Sequence, residues 1–294
     1  MATAAGRVDL TLYYDEPVIS AGGNGTQTVT VANSGADATG PIDLTITTPV
    51  FVAVKQDTAL PHNCQLLYRD ANSDDTVPEV VRCVLWPLHH GEAASLPFTL
   101  SVDDNAAPGI TFGEATALPA TGSPDVEQHM ADNLGWPSVV VANPPSTGSG
   151  PSAGHVTDLY VTTDLPAIAV GTPGFETLTV GNRGPQATTG RIRLLVVTPP
   201  LVRVDDATAL PAGCGFRYDS PDPAAPQVVG CTVAGPLAVG GQATVRVPLA
   251  VVFGSPVQTS WGVADVFPDR AGGSTDLDPV PANNVIESGV QVIG

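Results

Sequence analysis

Basic residues are scarce in this sequence. Of its 294 residues, 11 are lysine or arginine and 29 are aspartate or glutamate, which gives a formal net charge of −18. Lys55 is the single lysine. A surface of this sign repels nucleic acid and anionic membranes, because binding to phosphate groups needs lysine and arginine. We therefore do not expect nucleic acid as a partner.

Long hydrophobic runs are also missing. No stretch of 18 apolar residues occurs, so we expect no membrane-spanning helix and no direct membrane insertion. No secretion signal precedes Val8. Either the chain is cytosolic, or Met1 stands where a signal peptide has been removed, and the cysteine pattern favours the second alternative.

Common catalytic motifs are absent as well. The sequence has no phosphate-binding glycine loop, no Gly-x-Ser-x-Gly and no His-Glu-x-x-His. Aromatic residues make up only 5%, and the three tryptophans are scattered. We therefore expect a protein that is not an enzyme and needs no cofactor. Binding to glycans usually needs clustered exposed aromatic side chains, so the sequence supports a glycan-binding function less well.

What the sequence has is the pattern of a β-protein. Hydrophobic residues make up 43%, and 31 glycines and 29 prolines separate short apolar runs. Within the runs, apolar and polar residues alternate, as in Val8, Leu10 and Leu12 or in Leu178 and Val180. This period of two buries one face of an antiparallel strand. The number and spacing of the runs predict an all-β fold made of sandwiches.

An internal repeat divides the chain in two. Corresponding positions are separated by 148 to 151 residues and keep the same order. The matches include Asp9 with Asp158, Asn33 with Asn182, Cys64 with Cys214, Cys83 with Cys231, and Asn133 with Asn284. A repeat of this length is a duplicated domain. We predict domains at residues 1–143 and 155–294, joined by a linker at 144–154 that is rich in proline, glycine and serine.

The four cysteines fall two to each copy. Cys64 and Cys83 enclose 18 residues, and Cys214 and Cys231 enclose 16. A zinc site made of cysteines alone needs more thiols than one copy holds, and no Cys-x-x-Cys is present. Zinc binding and free thiols are the alternatives, but we predict the disulfides Cys64–Cys83 and Cys214–Cys231. Disulfides indicate an oxidising compartment.

The repeated motifs resemble those of a known group of surface proteins. The second copy shows Asp-Leu at 158–159, Asn182 with Gly184, the cysteine pair, and Asn283 with Asn284. This pattern resembles the conserved repeat domain of unknown function on bacterial surface proteins, and the adhesion-related bacterial immunoglobulin-like domains are similar. The resemblance implies two tandem immunoglobulin-like β-sandwich domains in an extracellular setting, without a catalytic residue.

Two acidic clusters raise the question of calcium, although we expect no metal site. Residues 70–75 resemble the first half of a calcium loop, but neither the glycine nor the closing glutamate of such a loop follows. The last long loop of the second copy holds the remaining candidate ligands, namely Asp265, Asp269, Asp276, Asp278, Asn283 and Asn284. The asparagine pair is also suited to turning the chain into the last strand.

Three further motifs have structural explanations. Leu-Pro-Ala-Thr-Gly at 118–122 matches a cell-wall sorting signal, but a whole domain follows it, which favours a turn. His89 and His90 are adjacent and would point to opposite faces of a strand, which favours an exposed turn over a metal site. Lys55 alone offers an amine for an intramolecular isopeptide bond, which we do not expect.

These observations predict a non-catalytic structural or adhesive module of a secreted or cell-surface bacterial protein. Its partner would be a protein or a glycan at the cell surface. The alternative is a pair of ligand-binding accessory domains, for calcium or a glycan, attached to a secreted enzyme.

Overall fold

The chain forms two compact β-units. The computed structural model describes residues 6–69, 78–104, 106, 108–129, 132–142, 155–220, 225–253, 255, 257–269, 272–280 and 283–294. Residues 1–106 and 110–144 make the first unit, and residues 107–109 and 145–294 make the second. The all-β class predicted from the sequence is confirmed. The linker predicted at 144–154 lies outside the described residues, so the boundaries of the two predicted domains stay a prediction.

None of the described residues belongs to a helix long and apolar enough to cross a membrane.

The strands of the first unit are short, with two longer ones in the middle of a sheet. They are β1 (Arg7–Val8), β2 (Leu10–Tyr14), β3 (Val18–Ser20), β4 (Asn24–Asn33), β5 (Ile42–Thr47), β6 (Val52–Val54), β7 (Cys64–Tyr68), β8 (Val80–Leu85), β9 (Ala93–Val102), β10 (Gly109–Phe112), β11 (Glu114–Pro119), β12 (Val126–Glu127), β13 (Leu134–Gly135) and β14 (Ser138–Ala142).

Two main sheets build the first unit as a sandwich. One has the strand order β2-β4-β9-β6 and the other β13-β11-β5-β8-β7, and neighbouring strands in both are antiparallel. Smaller sheets, β10-β14-β3 and β1-β12, complete the unit. Buried side chains from both main sheets, such as Val29, Val31, Leu44 and Val81, form one hydrophobic core.

The second unit has the same plan. Its strands are β15 (His155–Val156), β16 (Leu159–Thr163), β17 (Ala167–Ala169), β18 (Pro173–Asn182), β19 (Ile192–Val197), β20 (Val202–Val204), β21 (Cys214–Tyr218), β22 (Val228–Val233), β23 (Gln242–Val251), β24 (Thr259–Pro268), β25 (Asp276–Leu277) and β26 (Val285–Ile293). The sheet β16-β18-β23-β20 and the sheet β17-β26-β24-β19-β22-β21 contribute the buried residues of a second core.

The alternation of apolar and polar residues in the sequence corresponds to an alternation of buried and more exposed side chains, as β4 shows. Along β4 the burial changes at every residue, with Val29 and Val31 inside the core and Thr28 and Thr30 on the other face. Successive side chains therefore point to opposite faces of the sheet, and the buried face carries the valines together with the polar Gln27 and Asn33. The predicted sandwich architecture is confirmed.

One strand differs between the units because of a proline. In the second unit β26 runs without a break from Val285 to Ile293. In the first unit the corresponding stretch is divided into β13 and β14, with Trp136 and Pro137 between them. Pro137 has no N–H to donate, so it removes a ladder hydrogen bond at this point of the strand.

The repeated Asn-x-Gly motif ties the end of β4 to the chain around it. The Asn33 Oδ1 atom accepts hydrogen bonds from the backbone N–H groups of Asp9 and Gly35, and its Nδ2 donates to the carbonyls of Ala36 and Leu88. A Cβ atom on Gly35 would lie 2.4 Å from the Asp9 nitrogen, which is backbone and cannot yield. The motif is therefore structural.

The second unit repeats this arrangement. The Asn182 Oδ1 atom accepts from the N–H groups of Asp158 and Gly184, and its Nδ2 donates to the carbonyls of Gln186 and Leu237. The resemblance in sequence thus reflects a buried asparagine that satisfies the backbone of a turn in both units.

Candidate functional site

Each unit holds one disulfide at the edge of its larger sheet. Cys64 on β7 lies opposite Cys83 on β8, with the two sulfur atoms 1.98 Å apart. Cys214 on β21 lies opposite Cys231 on β22, at 2.07 Å. None of the four cysteines is free. Each bond fastens the edge strand of the sheet to its neighbour.

The acidic residues in the last loop of the second unit have separate partners. The Asp276 carboxylate accepts hydrogen bonds from the N–H and the hydroxyl of Thr189, at 2.9 and 2.7 Å, and lies 3.3 Å from Nδ1 of His155. The Asp269 carboxylate accepts from Nε of Arg193 and from the Gly272 N–H. The carboxylates of Asp276 and Asp269 therefore bind different partners and do not face a common site.

Asp265, Asp278 and Asn284 lie closer together. Asp278 accepts hydrogen bonds from the N–H groups of Leu159, at 2.7 Å, and Val280, at 3.0 Å. Burial raises the pKa of Asp278, and hydrogen bonds from backbone groups and from Asn284 oppose that shift. Burial also raises the pKa of Asp265 well above its usual range, and the charge of Asp278 adds to the rise.

The last candidate, Asn283, donates through Nδ2 to a carboxylate oxygen of Asp158, at 2.7 Å. The structure thus distributes the six candidate ligands over several backbone and side-chain partners. The first unit has counterparts for this use: the Asp125 carboxylate accepts from the N–H groups of Thr39 and Gly40, and Glu127 accepts from the N–H of Leu10. These acids act as caps for buried backbone groups.

A different group of ligand-type side chains comes together in the first unit. Asp9 precedes β2, and His129 and Asp132 lie in the connection between β12 and β13. One ligand atom from each of the three lies within 4.8 Å of the others, and no other group of this kind occurs in the described part of the chain. The His129 Nδ1 atom is 2.9 Å from Oδ1 of Asp9. The hydrogen bond with Asp9 raises the pKa of His129.

A groove beside the first disulfide contains the most exposed tryptophan among the described residues. The groove has a volume of about 520 Å³ and is lined by Pro41, Asn63, Cys64, Gln65, Val84, Leu85 and Trp86. The Trp86 side chain is 76% exposed. Val84, Pro41 and the amides of Asn63 and Gln65 are also exposed. No charged side chain lines the groove.

The second unit lacks this lining. With Cys83 aligned on Cys231, Ala234 stands at the position of Trp86 and Thr232 at that of Val84. Gly213 and Gly215 stand where the first unit has Asn63 and Gln65. The two units share the fold at this place but only the first carries a tryptophan groove.

The remaining sequence motifs occupy ordinary structural positions. Leu118 and Pro119 end β11, and Gly122 follows in a turn with a φ of 86°. The N–H of His90 donates to Asp37, and the His89 ring lies 3.5 Å from the same carboxylate. Lys55 pairs with Asp57 at 3.4 Å. The acidic stretch at 70–75 lies outside the described residues.

Sequence reasoning did not find the Asp9–His129–Asp132 group or the Trp86 groove. Asp9 lies 120 residues before His129 in the chain, and the groove is built from three separate segments. A signal was available in the repeat: His129, Asp132 and Trp86 have no counterpart of the same residue type in the second copy, while the surrounding motifs agree.

No protein-family profile matches the chain, and no curated protein matches its sequence. Solved structures that it is similar to include the CARDB domain of a Pyrococcus furiosus protein, crystallised with two metal ions (16% identity, TM-score 0.31, covering 48% of this chain and 95% of that one). Another is a protein of unknown function from Porphyromonas gingivalis (16% identity, TM-score 0.30, covering 96% of this chain and 99% of that one). A third is the cohesin module of a Clostridium perfringens family 33 glycoside hydrolase (11% identity, TM-score 0.29, covering 47% of this chain and 97% of that one). At these values the likenesses do not bear on function.

Proposed function

We propose that this chain is a non-catalytic adhesive module of a secreted or cell-surface bacterial protein, and that the Trp86 groove of the first unit binds a protein partner. The observation that carries the proposal is the exposed Trp86 side chain in this groove, at a position where the second unit has Ala234. Trp86 lies beside the exposed Val84 and Pro41, and contiguous exposed apolar side chains, unlike single ones, are typical of an interaction surface.

The composition of the groove is that of a protein-binding hot spot. Tryptophan is enriched among the side chains that dominate binding energy, and truncating such an anchor costs about 2 kcal/mol or more. Here Trp86, Val84 and Pro41 supply the apolar centre. Asn63 and Gln65 supply a polar rim without charge, which suits the edge of an interface.

The charge of the first half defines the kind of partner. Residues 1–143 carry 17 acidic and 4 basic residues, a net charge of −13. Such a surface attracts a basic protein over a distance and speeds its association, and salt screens the attraction. We therefore infer a partner with a basic surface around an apolar pocket that receives Trp86.

Two further features support a non-catalytic extracellular role. The carboxylates of Asp125, Asp276 and Asp278 accept hydrogen bonds from backbone N–H groups, which gives these three acids a structural role. The two disulfides are suited to an oxidising compartment.

The proposal is tested on printed arrays of purified extracellular proteins and of glycans, probed with the full chain at low and high salt. The key variant is Trp86→Ala, which copies the second unit and should fold. The control is Val239→Ala, which removes another exposed apolar side chain. We expect binding to basic proteins that weakens at least tenfold in Trp86→Ala, weakens with salt, and persists in the control.

Binding to glycans alone would contradict the protein partner. Binding to proteins that is equal in wild type and Trp86→Ala would contradict the role of the groove. An absence of binding on both arrays would contradict the adhesive function.

A further inference from the structure

The group formed by Asp9, His129 and Asp132 has a built-in comparison in the second unit. At the position of Asp132 the second unit has Asn283, and at the position of His129 it has Val280, while Asp158 matches Asp9. One backbone contact is shared, because the N–H of Asp132 donates to the His129 carbonyl and the N–H of Asn283 donates to that of Val280, both at 3.3 Å. The two units therefore keep this hydrogen bond and differ in the side chains at these positions.

In the second unit a neutral amide lies beside the aspartate, although Oδ1 of Asn283 is buried and receives no hydrogen bond from the described residues. The Asn283 amide donates a hydrogen bond to Asp158, so one carboxylate meets one neutral donor. In the first unit the amide is replaced by a second carboxylate, that of Asp132. Carboxylate oxygens of Asp9 and Asp132 lie within 4.8 Å of each other. Two carboxylates this close repel each other unless a proton or a cation lies between them. The first unit has thus exchanged a neutral contact for a set of cation ligands.

An oxygen atom in this group has no partner. Oδ1 of Asp132 is shielded from solvent and receives no hydrogen bond from the described residues, as is the case for Oδ1 of Asn283 in the second unit, but only on Asp132 does this oxygen belong to a carboxylate. A buried carboxylate oxygen without a donor is costly in a folded protein. Oδ2 of Asp9 is held in place by the Ser34 hydroxyl at 2.7 Å, and its Oδ1 faces His129. Such support from a second residue is typical of carboxylates that ligate metals.

We propose that Asp9, His129 and Asp132 bind one divalent transition-metal ion of the zinc type, which ties the chain before β2 to the β12–β13 connection. The proposal does not depend on the Trp86 groove.

The ligand set selects the class of ion. An imidazole nitrogen with two carboxylate oxygens suits zinc, whereas calcium and magnesium prefer oxygen ligands alone. Three protein ligands leave a coordination position open, as in sites where water completes the tetrahedron around zinc. His129 is 68% exposed, so its side of the site is open to water. The expected ion is therefore bound at the surface, with water as the remaining ligand.

The test is a calorimetric titration of the full chain with zinc chloride, after treatment with a chelator. Two variants, Asp132→Asn and His129→Val, give the first unit the residues that the second unit already has. The control is His62→Val, because His62 is an exposed histidine of the same unit outside the group. Melting curves without zinc show that each variant is folded.

We expect one zinc ion per wild-type chain, affinity at least tenfold lower in both variants, and no change in the control. Zinc should raise the melting temperature of the wild type by several degrees, since an ion that binds only the folded state stabilises it. Calcium should produce neither effect. The proposal is overturned if wild type binds no zinc, if both folded variants bind it as wild type does, or if calcium binds equally well.

Discussion

Glu176 lies in the second unit at the position that Gln27 holds in the first. The Gln27 amide donates to the carbonyls of Asp15 and Ser138, at 3.3 and 2.9 Å. The Glu176 carboxyl accepts a hydrogen bond from the Thr163 hydroxyl at 2.7 Å. Burial raises the pKa of Glu176 to about 7, and the bond from Thr163 only partly opposes the rise. The second unit therefore buries a titrating group where the first buries a neutral amide.

This difference makes the stability of the second unit depend on pH. The folded state holds the Glu176 proton up to a pKa of about 7, whereas the reference value is 4.5. The contribution of Glu176 is therefore fully present below pH 4.5, and it is lost as pH rises from there through about 7. The loss amounts to about 3 kcal/mol of unfolding free energy.

The variant Glu176→Gln should remove this dependence, because an amide stays neutral at every pH. Urea unfolding of the full chain at pH 5 and at pH 8 measures it, with the exposed Glu287→Gln as control. We expect the variant to be more stable than wild type at pH 8 and to differ little at pH 5. The same pH dependence in wild type and variant would show that Glu176 is not the group responsible.

Much of the fold could be predicted because it depends on local patterns. The alternation of Val29 and Val31 with threonines marks β4 without knowledge of its neighbours. The cysteine pairs lie on adjacent strands, so their short separation in the chain was informative. The break at Pro137 was not predicted, although the missing N–H of a proline is visible in the sequence.

The disulfides should add to the stability of the unit that contains them. Cys214 and Cys231 are separated by 17 residues, and closing a loop of this size stabilises the folded state by about 3 kcal/mol in the chain-entropy model. Replacing both cysteines by serine should lower the unfolding free energy of the second unit by this amount and leave the first unit unchanged. Chemical unfolding of the variant measures the loss.

Peptide mapping without reductant checks the pairing itself. It should yield the linked peptides Cys64–Cys83 and Cys214–Cys231. A bond between the units, or four free thiols, would contradict both the pairing and the extracellular setting.

Asp276 should act as a cap and not as a calcium ligand. Its carboxylate accepts two hydrogen bonds from Thr189 and is almost completely buried. Because hydrogen bonds to a charged group contribute about 1.5–3 kcal/mol each, we expect Asp276→Ala to destabilise the second unit by at least 2 kcal/mol. The exposed Asp206→Ala should have little effect.

Melting curves in millimolar calcium and in chelator separate the two roles. If Asp276 is a cap, the variant Asp276→Ala should lower the melting temperature by the same amount in both solutions. A calcium-dependent rise of several degrees in wild type that disappears in Asp276→Ala would instead support the accessory-domain alternative.

The candidate sites were harder to predict than the fold, because they depend on contacts between distant parts of the chain. Asp276 and Asp278 are close in sequence and suggested one metal loop, yet the fold gives them different partners, Thr189 and Leu159. Asp9 and His129 showed no local motif, and strand pairing brings them together. Residue type and spacing in the sequence do not show where a side chain points when its neighbours come from a distant part of the chain.

The two units should fold independently of each other. All buried residues of the first core come from residues 8–141, and all those of the second come from residues 159–292. Each unit also has its own disulfide. Residues 155–294 alone should therefore give a β-type circular dichroism spectrum and a cooperative melt, and residues 1–143 should do the same. A fragment that stays unfolded while the full chain folds would contradict this prediction, because its stability would then require a large and obligate interface.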